Sequence, residues 1–221
     1  MDKASIIKNC SFFSGVSAER RRRLVDMARV VSFPAGKLVF KQNDPCPGIY
    51  CVGSGSIRIY RIGPNGKEHT LHMAGAGQTF AEVAVIGGFP CPAYAEVTLA
   101  AQCALLPAAG VTAMLREDHG FCLELLVGMS QWVRRLTGLI EDIALRDATG
   151  RVARHLLQAA PGAKGTVVLA GLKKHIASHL NLTSETFSRV LRKLADGGVV
   201  EVIEEKRLRI VDREALEELS E

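Results

Sequence analysis

The chain has 221 residues, 48% of them hydrophobic and 23% charged, proportions of a folded water-soluble protein with room for one large or two small domains. Its apolar runs are broken by Gly, Pro or charge well before eighteen residues, and the opening MDKASIIKNC lacks the basic-then-apolar order of an export signal, so a cytoplasmic protein with no membrane partner is expected. The net charge of +5 is mild, yet residues 149–200 carry eight basic against two acidic side chains and the last ten residues five acidic against one basic. The positive charge is thus concentrated in one segment, which suits phosphate neutralisation; a solvated basic face is the plainer alternative.

From about residue 20 to 108 the chain reads as short β segments punctuated by Gly and Pro: VSFPAGKLVF, GIYCVGSGSIRIYRI, PNGKEHTLHMAGAGQ and AEVTLAAQCALLP. In SIRIYRI, Ile57 and Ile59 alternate with Arg58 and Tyr60, the period of a half-buried strand. The following GPNGKE is a hairpin turn signal, because Asn-Gly tolerates positive φ at both positions. An antiparallel β-roll or barrel is expected over residues 1–115.

Six cysteines, at 10, 46, 51, 91, 103 and 122, include no CxxC pair, so neither a zinc site nor a redox motif of that kind is indicated. They read as buried or free thiols in a reducing compartment. Cys10 alone near the N-terminus cannot supply an iron–sulfur cluster.

Over 119–146 the period changes to that of one long helix, with Cys122, Leu125, Met129, Trp132, Leu136, Leu139 and Ile143 spaced alternately by three and four. Such a seam needs a partner, and the simplest is the same helix of a second subunit, giving a dimerisation helix over 116–147; packing on the chain's own β-domain is the alternative.

The third part, 148–221, has helical patterns at 149–159, 172–180 and 184–196 and ends in VVEVIEEKRLRIV, two β-rich runs around a charged turn at Glu204, Glu205 and Lys206. That order is a winged helix-turn-helix, with 172–196 as the two crossing helices, and makes the whole chain α+β. Ala177 stands where two crossing helices demand a small residue, Asn181 falls in the turn that needs a left-handed conformation, and Thr183 or Ser184 caps the second helix. On that helix Phe187, Val190, Leu191 and Leu194 form the buried stripe, leaving Ser184, Glu185, Ser188, Arg189, Arg192 and Lys193 outward. Arginine can pair with guanine O6 and N7, glutamate can accept from cytosine N4, and serine can bond a base or approach a thymine methyl. With Thr183, Thr186, Lys173 and Lys174 these six form the expected surface for double-stranded DNA. An exposed helix bearing a Glu185–Arg189 pair is the plainer reading.

From about residue 12 to 213 the chain resembles the CRP/FNR family of bacterial transcription regulators, through FPAGKLVFKQNDP, GIYCVGSGSIRIYRIGPNGKE, GQTFAEVAVIGG, the long helix and SETFSRVLRKL in family order. The resemblance implies a homodimer of cyclic-nucleotide-binding-like β-rolls, a long dimerisation helix and winged helices on a palindromic operator, with RNA polymerase as a partner if the protein activates. Glu185, Ser188 and Arg189 are similar to the E-x-x-S-R pattern of the FNR branch and imply a TTGA half-site: Arg189 on guanine, Glu185 facing the opposite cytosine, Ser188 near thymine. Ser184 stands where the cyclic-AMP regulator has a further arginine, so the operators should differ.

In the sensor cassette FAEVAVIGGFPCPAYAEV, Glu82 is retained, but Ala81 replaces the family's glycine, and Ala93 and Tyr94 stand where cyclic-AMP-binding members carry arginine and serine. A buried phosphate without its arginine loses its bidentate partner, so no cyclic AMP binding is expected. The cassette resembles the haem- and nitric-oxide-responsive subgroup, which includes the dissimilatory nitrate respiration and hybrid-cluster-protein regulators. An effector pocket is expected at Phe80, Glu82, Ala93, Tyr94 and Trp132. His69, His72 and Met73 are candidate haem ligands beside it, with Cys91, Met114 and His119 further on. On a strand, His69 and Met73 share one face and His72 takes the other, so the two histidines do not chelate one metal. The same facing weighs against a cupin-like metal enzyme built on His69, His72 and Glu82.

Overall fold

The structure, a computed structural model, describes residues 1–160, 165–169, 173–204 and 207–220, without the side chains at 135 and 143. Ile143 of the expected seam, Leu172 at the expected start of the helix-turn-helix, and the wing turn at Glu205 and Lys206 lie outside the described residues. The chain divides into two compact units, Met1–Arg135 and Leu136–Glu221.

In the first unit the N-terminal segment forms α1 (Lys3–Lys8), capped by the Asp2 carboxylate accepting from Ser5 N–H, then a single 3-10 turn (Ser11–Phe13) and α2 (Ala18–Met27). There follow β1 (Arg29–Phe33), β2 (Leu38–Phe40), β3 (Gly48–Ile62), β4 (Glu68–Gly75), β5 (Thr79–Phe80), α3 (Glu82–Gly87), β6 (Tyr94–Pro107) and α4 (Ala108–Glu117). The strands pair antiparallel in the order β1-β6-β3-β4, with β2 added on β6 and β5 on β3. The β3–β4 hairpin turns with positive φ at Gly66 but not at Asn65, because the Asn65 carboxamide instead accepts from Lys67 N–H. Between Ile59 and Tyr60 the register with β4 shifts by a bulge at Leu71.

Alternation along β3 and β6 separates two faces. Ile57, Ala95, Val97 and Ala74 meet in one core with Ile59 against it, while Arg58 pairs across the strands with Glu96 and Tyr60 with Tyr94 on the opposite face. A second core collects α1, α2, α4 and the start of α5 (His119–Leu145) around Phe13, Leu24, Leu106 and Phe121. Asp118 accepts from Phe121 N–H at 3.0 Å and ion-pairs with Arg20 at 2.8 Å. Arg20 also reaches Glu124 at 2.6 Å, fastening α2 to the start of α5. Gly128 lets the 3-10 turn approach α5 closely, since a Cβ there would lie 2.4 Å from the Phe12 carbonyl oxygen.

That packing corrects the expected seam. Leu125 is only 3% exposed and Met129 packs against the same core, so the row running through them faces the chain's own β-domain, and Trp132 is half-buried. Further along, Leu136 is exposed and Leu139 half-buried. The apolar row left uncovered lies one position on: Leu126, Val133 and Ile140, seven apart, are 59%, 57% and 67% exposed. Leu125 and Trp132 are seven apart, as Leu126 and Val133 are, so spacing alone does not say which of the two rows is buried.

In the second unit α6 (Ala148–Ala159) begins where Asp147 accepts from Gly150 N–H at 2.8 Å. β7 (Thr166–Val168), α7 (Lys173–His179), α8 (Ser184–Asp196), β8 (Val200–Glu204), β9 (Arg207–Ile210) and α9 (Arg213–Glu218) complete it, with the sheet in the order β7-β9-β8. Val152, Leu156, Phe187, Leu194 and Leu208 meet in one core. Each such fully buried side chain contributes about 1.5–3 kcal/mol relative to exposure. α8 ends as Val199 N–H donates to Leu194 and Gly198 N–H to Ala195, a closure that needs the positive φ of Gly198.

Candidate nucleic-acid interface and sensor face

The turn between α7 and α8 is made by local chemistry. Leu182 N–H donates to the Ala177 carbonyl at 2.8 Å, which requires the chain to reverse at Asn181, and Asn181 takes φ +54°. Ala177, wholly buried, lets the helices cross. Thr183 Oγ1 then accepts from Thr186 N–H at 3.1 Å and donates to Thr186 Oγ1 at 2.9 Å. Both threonine hydroxyls are thus engaged in starting α8, a role that sequence reasoning gave to one hydroxyl alone.

Phe187, Val190, Leu191 and Leu194 are buried, and Ser184, Glu185, Ser188, Arg189, Arg192 and Lys193 are exposed. Lys174 is exposed and Lys173 half-exposed at the start of α7. Among the described residues, no ion pair engages Glu185, Arg189, Arg192 or Lys193, so the Glu185–Arg189 pair of the plainer reading is not formed. By contrast, Arg209 pairs with Glu201 at 3.0 Å and Arg207 with Glu204 at 3.5 Å across the wing strands. The helix therefore presents a row of donors and one carboxylate with their charges uncommitted, beside a wing whose arginines are already paired.

In the same unit, on α6, His155 is held down to about 4 by burial, with the nearby His179 adding a smaller effect of the same sign. Asp142, near the end of α5, pairs with Arg146 at 2.8 Å and Arg154 at 3.0 Å, and Arg146 also donates to the Ser220 carbonyl.

The residues expected to line one effector pocket lie in different environments. Phe80 stacks on Tyr50 with ring centroids 4.6 Å apart and is part of the core. Ala93 is buried, and Glu82, 2% exposed, opens α3 directly after Ala81, which takes φ +70°. Tyr94 does not face the roll interior: it stacks on Tyr60 at 5.2 Å, on the face carrying Arg58. Arg58, 3% exposed, lies 3.9 Å over the Tyr60 ring and pairs with Glu96 at 3.0 Å and with Glu68. Periodicity marked Arg58 as the polar half of an alternation. Its burial depends on carboxylates from β4 and β6, a register that no local pattern reveals. This guanidinium is neutralised twice and points away from the core face, so it does not replace the arginine missing at Ala93.

Of the candidate haem ligands, His69 is exposed beside the hairpin turn and Met73 pairs opposite Arg58. His72 takes the Ile59 face, where its ring meets Trp132 edge-on with centroids 6.1 Å apart. The three do not converge, and among the described residues no three His, Cys, Asp or Glu side chains are placed to hold a metal, the set of His69, His72 and Glu82 included. As a haem site this arrangement supplies one inward imidazole, but Trp132 occupies the space beside it, so the residues as placed do not fit the group.

A β-roll of this topology followed by a long helix and a winged helix-turn-helix defines a class: a ligand-sensing domain coupled to a DNA-binding one. Residues 30–118 match the cyclic nucleotide-binding domain family and residues 150–219 the Crp-like helix-turn-helix domain. The chain belongs to the CRP/FNR family of transcription regulators and is not an enzyme. It is 25% identical over 217 residues, 96% of each chain, to the CRP-like cAMP-activated global transcriptional regulator of Mycobacterium tuberculosis. FixK2 from Bradyrhizobium japonicum shares the fold, with a TM-score of 0.80 at 21% identity over 88% of this chain and 98% of that one. DNR from Pseudomonas aeruginosa is 29% identical with a TM-score of 0.54, over 97% of this chain and 96% of that one. No described helix is long and apolar enough to cross a membrane.

Proposed function

We propose that the protein is a cytoplasmic, homodimeric regulator that reads a TTGA palindrome with α8 and whose DNA affinity is set by an effector in the β-roll. The observation that carries the DNA reading is the uncommitted row Ser184, Glu185, Ser188 and Arg189 at the start of a helix whose other side is fully packed. Arg189 takes the guanine, Glu185 the opposite cytosine and Ser188 the thymine, while Lys173, Lys174, Arg192 and Lys193 serve phosphates. Residues 1–115 act as sensor, 116–147 as dimerisation helix and 148–221 as reader. The second copy packs on the Leu126, Val133 and Ile140 row, and RNA polymerase is the further partner where the outcome is activation.

The effector is not a cyclic nucleotide. Ala93 offers no charge to a phosphate, and Arg58 is spent on Glu68 and Glu96. His72 and Trp132 form the polar-aromatic edge that an effector would meet, although the cAMP-activated relative shows that this fold can serve a nucleotide. Haem with nitric oxide is the first candidate to test. Because Trp132 lies beside the His72 ring, the residues as placed do not fit haem, and another small-molecule effector is the reading the structure favours.

The test is a titration of duplexes carrying TTGA half-sites about one helical turn apart, against a scrambled duplex. Arg189→Ala should cost about 1–3 kcal/mol on the palindrome and relax preference at one guanine. Lys174→Ala should weaken both duplexes alike and flatten the salt dependence. Equal loss on both duplexes for Arg189→Ala would refute the assignment. In parallel, Leu126→Glu should give a monomer by sedimentation, cyclic AMP should give no binding heat, and haem added without oxygen should give no Soret band of a ligated haem.

A further inference from the structure

On α6 the residues Arg151, His155 and Gln158 follow one another at intervals of four and three and therefore share one face of the helix. Together with His179, at the end of α7, they line a cleft whose free space is about 340 Å³ up to its solvent-open mouth. Asp142, from the last turns of α5, is the one acid among the described residues lining it. Its Oδ1 is shared by the guanidiniums of Arg146 at 2.8 Å and Arg154 at 3.0 Å, so one negative charge meets two positive ones. Arg151 adds a further positive charge that no carboxylate among the described residues pairs with, and its enclosed Nε–H has no acceptor. An enclosed donor in that state is costly, because the water it gave up on folding has not been replaced. Burial holds His155 at about 4, so near neutral pH its imidazole carries one N–H donor and one acceptor nitrogen. The cleft is thus rich in donors, positive on balance and short of one acceptor.

We propose that Arg151, His155, Gln158 and His179 form a binding site for inorganic phosphate in the second unit, apart from the DNA-reading face of α8. Phosphate oxygens accept from the Arg151 Nε–H and from an Nη–H beside it, the paired geometry in which a guanidinium holds an oxyanion. The Gln158 carboxamide and the His179 imidazole supply further donors around the tetrahedron. Near neutral pH inorganic phosphate keeps one O–H, and the acceptor nitrogen of His155 takes it. A halide has no such donor, and a doubly ionised phosphate ester has lost it. Because the lining comes from α5, α6 and α7, a bound phosphate ties the first helix of the helix-turn-helix to the two helices before it, all within the second unit.

The experiment titrates inorganic phosphate into the full chain without DNA, at about pH 7.5 and constant ionic strength, and reads the heat by isothermal calorimetry. The expected result is saturable binding of one phosphate per chain. Arg151→Gln should weaken it about tenfold or more, and Arg151→Lys, which keeps the charge but loses the Nε–H, should weaken it by less. Glycerol 3-phosphate, without the O–H at this pH, should bind more weakly than inorganic phosphate. In parallel, the unaltered chain labelled with nitrogen-15 is titrated, and the signals of Arg151 Nε–H and of the His155 and His179 imidazoles should move along one saturation curve. The proposal fails if the heat never saturates, if folded Arg151→Gln protein binds as the unaltered chain does, or if glycerol 3-phosphate binds as tightly as phosphate or more so. It fails equally if the Arg189 and Arg192 signals move while that of Arg151 stays, since the ion would then sit on the reader helix. If the Arg151 variants do not fold, as judged by circular dichroism, the signals of the unaltered chain decide.

Discussion

The reader helix and the sensor face follow opposite rules. In α7 and α8 nearly every feature that matters is fixed within a few residues of itself: Asn181 reverses the chain, Thr183 caps, and the buried and exposed stripes alternate along one helix. In the β-roll the decisive contacts join residues far apart in sequence, as Arg58 with Glu96, Phe80 with Tyr50 and His72 with Trp132 do. A surface built locally keeps its geometry as long as its core holds, whereas a face assembled from distant strands changes when any one of them moves. The first suits a fixed code and the second suits a sensor.

The largest effect that would break this contrast is expected at Phe187, wholly buried at the centre of the second unit. Phe187→Ala should cost about 3–5 kcal/mol. If the units are independent in stability, chemical denaturation followed by hydrogen exchange will show the loss in residues 136–220 and leave the β-roll amides unchanged. Next comes pH. Because the folded His155 is held near 4, below its unfolded value, the unfolded chain binds more protons as pH falls through the range between them. The second unit should lose stability from about pH 6.5 downward. His155→Gln should flatten that slope, and an unchanged slope would mean that His155 titrates normally.

Smaller changes sharpen the comparison. Thr183→Ala removes the cap of α8 and should cost about 1 kcal/mol, visible as a lower melting temperature of the second unit with operator preference retained. In the β-roll, Ala81 takes a left-handed conformation that its side chain resists. Ala81→Gly should stabilise the first unit by about 0.5–1 kcal/mol, and a destabilised variant would show that the Ala81 methyl contributes packing that outweighs its strain.

Legibility in the sequence divides along the same line. The α+β class, the hairpin after SIRIYRI, the turn at Asn181 and the stripe of α8 all rest on local spacing, and the structure has each of them. The long helix was legible as a helix but not as a seam, because an apolar row with three-and-four spacing does not say which neighbour covers it. Leu125 and Met129 went to the β-domain, and the uncovered row lies one residue further on. Tyr94 was misplaced for a related reason: matching it to a family position locates it along β6, while its stacking on Tyr60 depends on cross-strand register. Parity put His69 with Met73 and His72 opposite them, but the bulge at Leu71 reverses this: His69 and His72 lie across from Arg61 and Ile59, on one side, and Met73 across from Arg58, on the other.

Arg58 carries a consequence for how such a chain can diverge. Two carboxylates from two other strands converge on one enclosed guanidinium, so loss of the arginine leaves Glu68 and Glu96 repelling each other, and loss of either glutamate leaves an enclosed positive charge with half its compensation. Positions 58, 68 and 96 are thereby bound into a single heritable unit. Among descendants of this sequence, a neutral residue at 58 should arrive together with the loss of at least one acid at 68 or 96, and the three should covary more tightly than their separation along the chain would suggest.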